Sequence, residues 1–140
     1  MKRATSLRLV LVCLPLFLAA CAEDTAQLRA NTSEKGTFQL QTPYAEVYQT
    51  YLANAHACYN GGTPASYFYV EDRQNDAGTE GNVDIIQDGL ARRVLVSSDI
   101  VADGSNTDVT YYINTGFDFL HTLSAFPKKL ATTPHMCRGL

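Results

Sequence analysis

Tryptophan is missing from the 140 residues, histidine occurs three times, and no apolar run is long enough to cross a bilayer as a helix. The most apolar stretch, Leu9–Leu18, is ten residues and is broken by Pro15. His56, His121 and His135 stand far apart and share no HExxH or HxxxH spacing, so the order of residues carries no zinc site. Neither a CxxC pair, a G-x-S-x-G elbow, a phosphate loop nor a dinucleotide fingerprint occurs. Thiol-redox, serine-hydrolase and nucleotide chemistry are left without their usual residues. The sequence therefore nominates no catalytic constellation, no cofactor and no metal.

What is present begins with a secretion signal. Lys2, Arg3 and Arg8 form a positive start, Leu9–Leu18 an apolar core, and small residues follow. The segment closes on Leu18-Ala19-Ala20-Cys21, which resembles the lipobox of bacterial lipoproteins: an aliphatic residue, two small ones, then the cysteine. The resemblance implies that Met1–Ala20 is removed and that Cys21 carries diacylglyceryl and acyl chains such as palmitate. One chain anchors only marginally, at about 0.8 kcal/mol per buried methylene, so two or three chains give lasting attachment to the lipid bilayer. In that family an Asp after the cysteine favours the inner membrane. Here the residue is Ala22, which implies the outer membrane, facing the periplasm.

Beyond the signal, eight of the eleven basic residues remain against all fourteen acids, a formal charge of −6. Nucleic acid is a poor partner for such a surface. Of the four cysteines, Cys13 leaves with the signal and Cys21 takes the lipid, so Cys58 and Cys137 remain in an oxidising compartment. One disulfide between them is the economical reading. His56-Ala57-Cys58 also suggests a thiol nucleophile, but a bonded cysteine is no nucleophile.

Residues 21–36 hold a single large aliphatic side chain, Leu28, and read as a lipidated flexible tether spanning about 20 Å. Residues 37–140 read as one α+β domain. Thr37–Gln41 suits a short strand. Thr42 can cap a helix and Pro43 fits its first position, after which Tyr44, Val47, Tyr48, Tyr51, Leu52, Ala55, Cys58 and Tyr59 keep helical spacing. Gly61-Gly62 reads as the stop. Four β-rich runs follow at Tyr67–Glu71, Val83–Gln87, Arg92–Val101 and Asp108–Ile113, with hairpin signals at Asp88-Gly89 and Asp103-Gly104. Thr115-x-x-Asp118 has the form of a capping box opening a second helix, which Pro127 should end or kink. The expected architecture is an N-terminal amphipathic helix, a four-stranded antiparallel meander with Thr37–Gln41 as a candidate fifth strand, and a C-terminal helix, stacked as a two-layer sandwich.

Six acids fall between Glu71 and Asp88, mostly in an expected loop Asp72–Asn82, where Asp72, Asp76 and Glu80 are candidate partner-binding residues. A calcium loop counted from Asp72 fails, with Ala77 where glycine is needed and Val83 where the bidentate Glu belongs. Tyr67, Tyr69 and Tyr112 lie off the helical stripe and are candidates for an exposed recognition face.

The mature chain is similar to small proteobacterial envelope lipoproteins with an early helix, a meander and one cysteine towards each end of the domain. Thr37-Phe38, Pro43-Tyr44, Val47-Tyr48, Cys58-Tyr59 and Cys137 carry the likeness. The likeness implies the architecture, while the anchor, the short tether, the expected disulfide and the lack of catalytic spacing point to a non-enzymatic binding or accessory module that engages an envelope protein. A periplasmic inhibitor or immunity lipoprotein using the acidic loop is the alternative. A small hydrolase built on His56 or His121 is the third reading.

Overall fold

Between residues 61 and 113, β-branched and aromatic residues alternate with polar ones between glycine-bearing turns, a pattern that folds as successive hairpins. The computed structural model describes residues 24–30, 34–114 and 126–137. Its elements are α1 (Thr25–Ala30), β1 (Glu34–Leu40), α2 (Tyr44–Cys58), β2 (Gly61–Thr63), β3 (Ser66–Gln74), β4 (Glu80–Gly89), β5 (Arg93–Asp103), β6 (Asn106–Ile113) and α3 (Phe126–Thr132). The strands form one six-stranded sheet in the order β1-β6-β5-β4-β3-β2, every pair antiparallel. β1 and β2 lie at opposite edges, and α2 is the crossover that joins them.

The sheet corrects the expected four-stranded meander. Gly61–Thr63 has no apolar side chain to betray a strand, yet it pairs with Ser66–Phe68 and forms one edge. Glu34–Leu40 pairs along its whole length with Thr107–Ile113 and forms the other. The expected loop Asp72–Asn82 is also mostly ladder: Asp72 pairs with Val83 and Gln74 with Gly81, leaving residues 75–79 as the turn.

One face of the sheet is apolar and carries α2 and α3. Tyr44, Val47, Tyr48, Tyr51 and Ala55 of α2 pack on Val83, Ile85, Leu95, Val96, Ile100, Val109 and Ile113. A bulge at Ile85/Ile86 leaves Leu95 as the extra residue of β5, so Leu95 and Val96 both enter this core while Val94 turns to the opposite face. Gly81 lets α2 come close: a Cβ there would stand 2.3 Å from Cε2 of Tyr48. Tyr51 is fully buried and shares a 2.7 Å hydrogen bond with the Ser98 hydroxyl, which satisfies its polar end.

α2 also holds the C-terminal segment. Asn54 Nδ2 donates to the carbonyls of Leu130 and Thr133, each at 2.8 Å, and Asn54 Oδ1 accepts the Met136 N–H. One turn on, Cys58 is disulfide-bonded to Cys137. Pro43 rather than Thr42 occupies the N-cap, and the Thr42 carbonyl instead accepts the Thr107 hydroxyl. Pro127, expected to end a helix, is the second residue of α3, where a missing N–H costs nothing. The capping box at Thr115–Asp118 lies outside the described residues.

The second face is not bare, which corrects the two-layer expectation and the flexible tether alike. α1 docks there by burying Leu28, only 1% exposed, against Ile86 and Val94, with Tyr69 and Tyr112 beside them. One aliphatic residue in a polar segment is a weak sequence signal, but a prepared apolar slot makes it sufficient to seat a six-residue helix. The order is therefore helix layer, sheet, and a partial cover of α1. Among the described residues no helix is long and apolar enough to cross a membrane.

Candidate functional site

Strand periodicity sends Tyr67, Tyr69, Glu71 and Arg73 of β3 to the α1 face, with Asn82 and Asp84 on β4 and Ser97 and Asp99 on β5. α1 runs alongside and adds Asp24, Thr25, Ala26 and Arg29. These last four, with Glu71, Arg73, Asn82, Arg92 and Asp99, line an open groove of about 570 Å³.

The polar groups of the groove form two clusters, a chain from Arg29 to Thr25 and a separate one centred on Arg92. Arg29 Nη2 pairs with Asp99 Oδ1 at 2.5 Å. Asn82 Nδ2 donates to the same oxygen at 3.1 Å, and Asn82 Oδ1 accepts Arg73 Nη2 at 3.0 Å. Arg73 Nη2 also reaches Asp84 Oδ2 at 2.7 Å, and Thr25 Oγ1 donates to that oxygen at 2.8 Å. Arg92 closes the wall, donating from Nη2 to Glu71 Oε2 at 3.0 Å and from Nε to the Tyr69 hydroxyl at 3.2 Å. The Tyr69 oxygen, and then the Glu71 charge, hold the Arg92 guanidinium above its ordinary pKa. α1 is thus pinned at both ends, by Thr25 on Asp84 and by Arg29 on Asp99.

Asp84 stands out within this network. It is only 1% exposed, and its Oδ1 has no hydrogen-bond partner among the described residues. Buried carboxylate oxygens are normally satisfied, so this atom, lying beneath the residues that line the groove, is an exception.

The residues singled out from sequence are scattered. Asp72 lies in β3, on the face opposite the groove, and its Oδ2 accepts the Tyr48 hydroxyl at 2.9 Å. Asp76 sits in the turn and Glu80 begins β4. The three lie along one hairpin end, on β3, in the turn and at the start of β4. Tyr67, Tyr69 and Tyr112 do share the α1 face: Tyr67 and Tyr69 stack at 6.3 Å, and Tyr112 lies under Arg29 and Lys35. His56 and His135 are exposed, and His121 lies outside the described residues. No group of three His, Cys, Asp or Glu among the described residues is placed to hold a metal.

Sequence reasoning missed the groove because its residues run from 24 to 99 and its charged members each read alone as solvent-facing. The usable signal was period-2 placement of opposite charges, Glu71 and Arg73 on one strand against Asn82 and Asp84 on the next.

Compared with family models, curated proteins and solved structures, the chain matches none.

Proposed function

We propose that this chain is a lipid-anchored cell-envelope protein that binds or positions another envelope component, without catalysing a reaction. Met1–Ala20 serves as the signal, Cys21 carries the lipid, and Ala22 directs the protein to the outer membrane with its domain in the periplasm. The Cys58–Cys137 disulfide fits an oxidising compartment.

One observation carries the reading: the lipobox-like Leu18-Ala19-Ala20-Cys21 stands four residues before Thr25, which is docked at the groove. Four residues reach about 14 Å at full extension. Lipidation at Cys21 would therefore hold the groove at the bilayer surface, where an envelope component is met at high effective concentration. The salt-bridged walls supply fixed donors and acceptors for recognition.

Crosslinking in intact cells tests the reading, with Cys21→Ser for comparison. The anchored protein should enrich a defined envelope component and the unanchored one should lose it. Equal recovery from both, or recovery from neither, counts against it.

A further inference from the structure

The groove has hydrogen-bonding capacity that the fold does not use. Arg73 spends only Nη2 on Asn82 and Asp84, and its side chain is 65% exposed, leaving Nε and Nη1 without partners among the described residues. Arg92 spends Nε and Nη2 and keeps Nη1. On the acidic side, Asp99 accepts through Oδ1 alone and Glu71 through Oε2 alone, leaving Oδ2 and Oε1 without partners among the described residues. Asp84 Oδ1 is also unpaired, but it is buried beside Thr25 and Arg73 beneath the lining and offers a ligand nothing.

The signs of these open groups restrict the ligand. Arg29, Arg73 and Arg92 face Asp24, Glu71 and Asp99, with Asp84 beneath, so the groove is not a basic patch and a bare anion would leave the open carboxylate oxygens unmatched. A cation alone would leave the guanidinium forks unmatched. A ligand with an oxyanion and an ammonium a few bonds apart meets both, since guanidinium donors grip phosphate in a fixed fork and carboxylates accept ammonium N–H groups. Asn82 sets the separation: its carboxamide bridges Arg73 and Asp99.

The position of the groove decides the source of that zwitterion. Asp24, Thr25 and Ala26, the first described residues after Cys21, line it. We propose that the groove binds the phosphoethanolamine head of a membrane phospholipid, its phosphate on Arg73 and Arg92 and its ammonium on Asp99 and Glu71. The choice of a lipid source rests on the anchored reading above. Headgroups within the reach of the anchor are so concentrated that a weak intrinsic affinity suffices to keep the domain lying on the membrane.

The test uses the full chain, purified in dodecyl maltoside and freed of lipid, titrated with soluble sn-glycero-3-phosphoethanolamine while amide resonances of Arg73, Asn82 and Asp99 are followed. Glycerophosphoglycerol, ethanolamine and glycylglycine are titrated in parallel. Saturable shifts at the groove, with affinity at least tenfold above each comparator, are expected. Arg73→Gln with Arg92→Gln should lower that affinity at least tenfold. Should that pair fail to fold, Glu71→Gln serves instead, and it should weaken glycerophosphoethanolamine while leaving glycerophosphoglycerol unchanged. Equal binding of glycerophosphoglycerol, tighter binding of glycylglycine, or no saturable shift overturns the proposal. Because the probe is soluble, the result stands whether or not Cys21 is lipidated, and detergent partitioning of the same preparation reports on the anchor separately.

Discussion

The Tyr48 hydroxyl on α2 donates to Asp72 Oδ2 on β3 at 2.9 Å, tying the crossover helix to the sheet. Asp72, which sequence alone places in an acidic recognition loop, is thus part of the packing between layers. Burial first, and then the Asp72 contact, raise the Tyr48 pKa, and burial likewise raises those of Tyr44, Tyr51 and Tyr59. In the unfolded chain tyrosine loses its proton near pH 10. Below that value the hydroxyls are protonated in both states and their contribution is intact. Above it the unfolded chain holds fewer protons than the native one, so stability declines as pH rises.

Urea unfolding at stepped pH should therefore show a level stability through pH 9 and a fall beyond pH 10. Tyr48→Phe should cost about 1 kcal/mol at neutral pH, the net value of one hydrogen bond, and should make the alkaline fall shallower. An unchanged alkaline slope in that variant would show that Tyr48 does not contribute to it.

The disulfide closes a separation of 79 residues between the end of α2 and the C-terminal segment. In the chain-entropy account this is worth about 4.5 kcal/mol, acting chiefly on the unfolded state. Cys58→Ala with Cys137→Ala should lower the urea midpoint accordingly and keep the sheet, since Asn54 still binds Leu130, Thr133 and Met136. A variant as stable as the parent would contradict the assignment of that constraint to the cystine.

α1 depends on Leu28. Leu28→Ala removes the side chain buried against Ile86 and Val94, a loss of about 2–3 kcal/mol by the cavity scale, against a helix of six residues. Hydrogen exchange should rise in 25–30 while α2 and β5 keep their protection. A uniform loss of protection across the sheet would place α1 in the cooperative core instead.

How far the sequence carried the structure depends on how repetitive each signal is. α2 was legible because five buried apolar residues recur on one helical stripe, and β3 to β6 because apolar alternation spans whole strands. Cys58 and Cys137 were legible by elimination. β2 was not, since Gly61 and Gly62 read as a helix stop and pair only through their backbone. α1 rested on one leucine whose slot is assembled from β4 and β5. Pro127 carries two meanings, helix end or helix start, and only the chain before it decides between them. The groove was hidden for a related reason: strand-borne charges look solvated until the register sets Arg73 beside Asn82 and Asp84.

Lipidation of Cys21 is tested most directly by intact mass measurement of the mature protein's N-terminal peptide from its native membrane. The expected peptide begins at Cys21 and carries the added mass of a diacylglyceryl group, together with the N-acyl chain where the outer membrane is the destination. A peptide that retains Met1, or one cleaved near this site with an unmodified Cys21, would contradict the anchored reading.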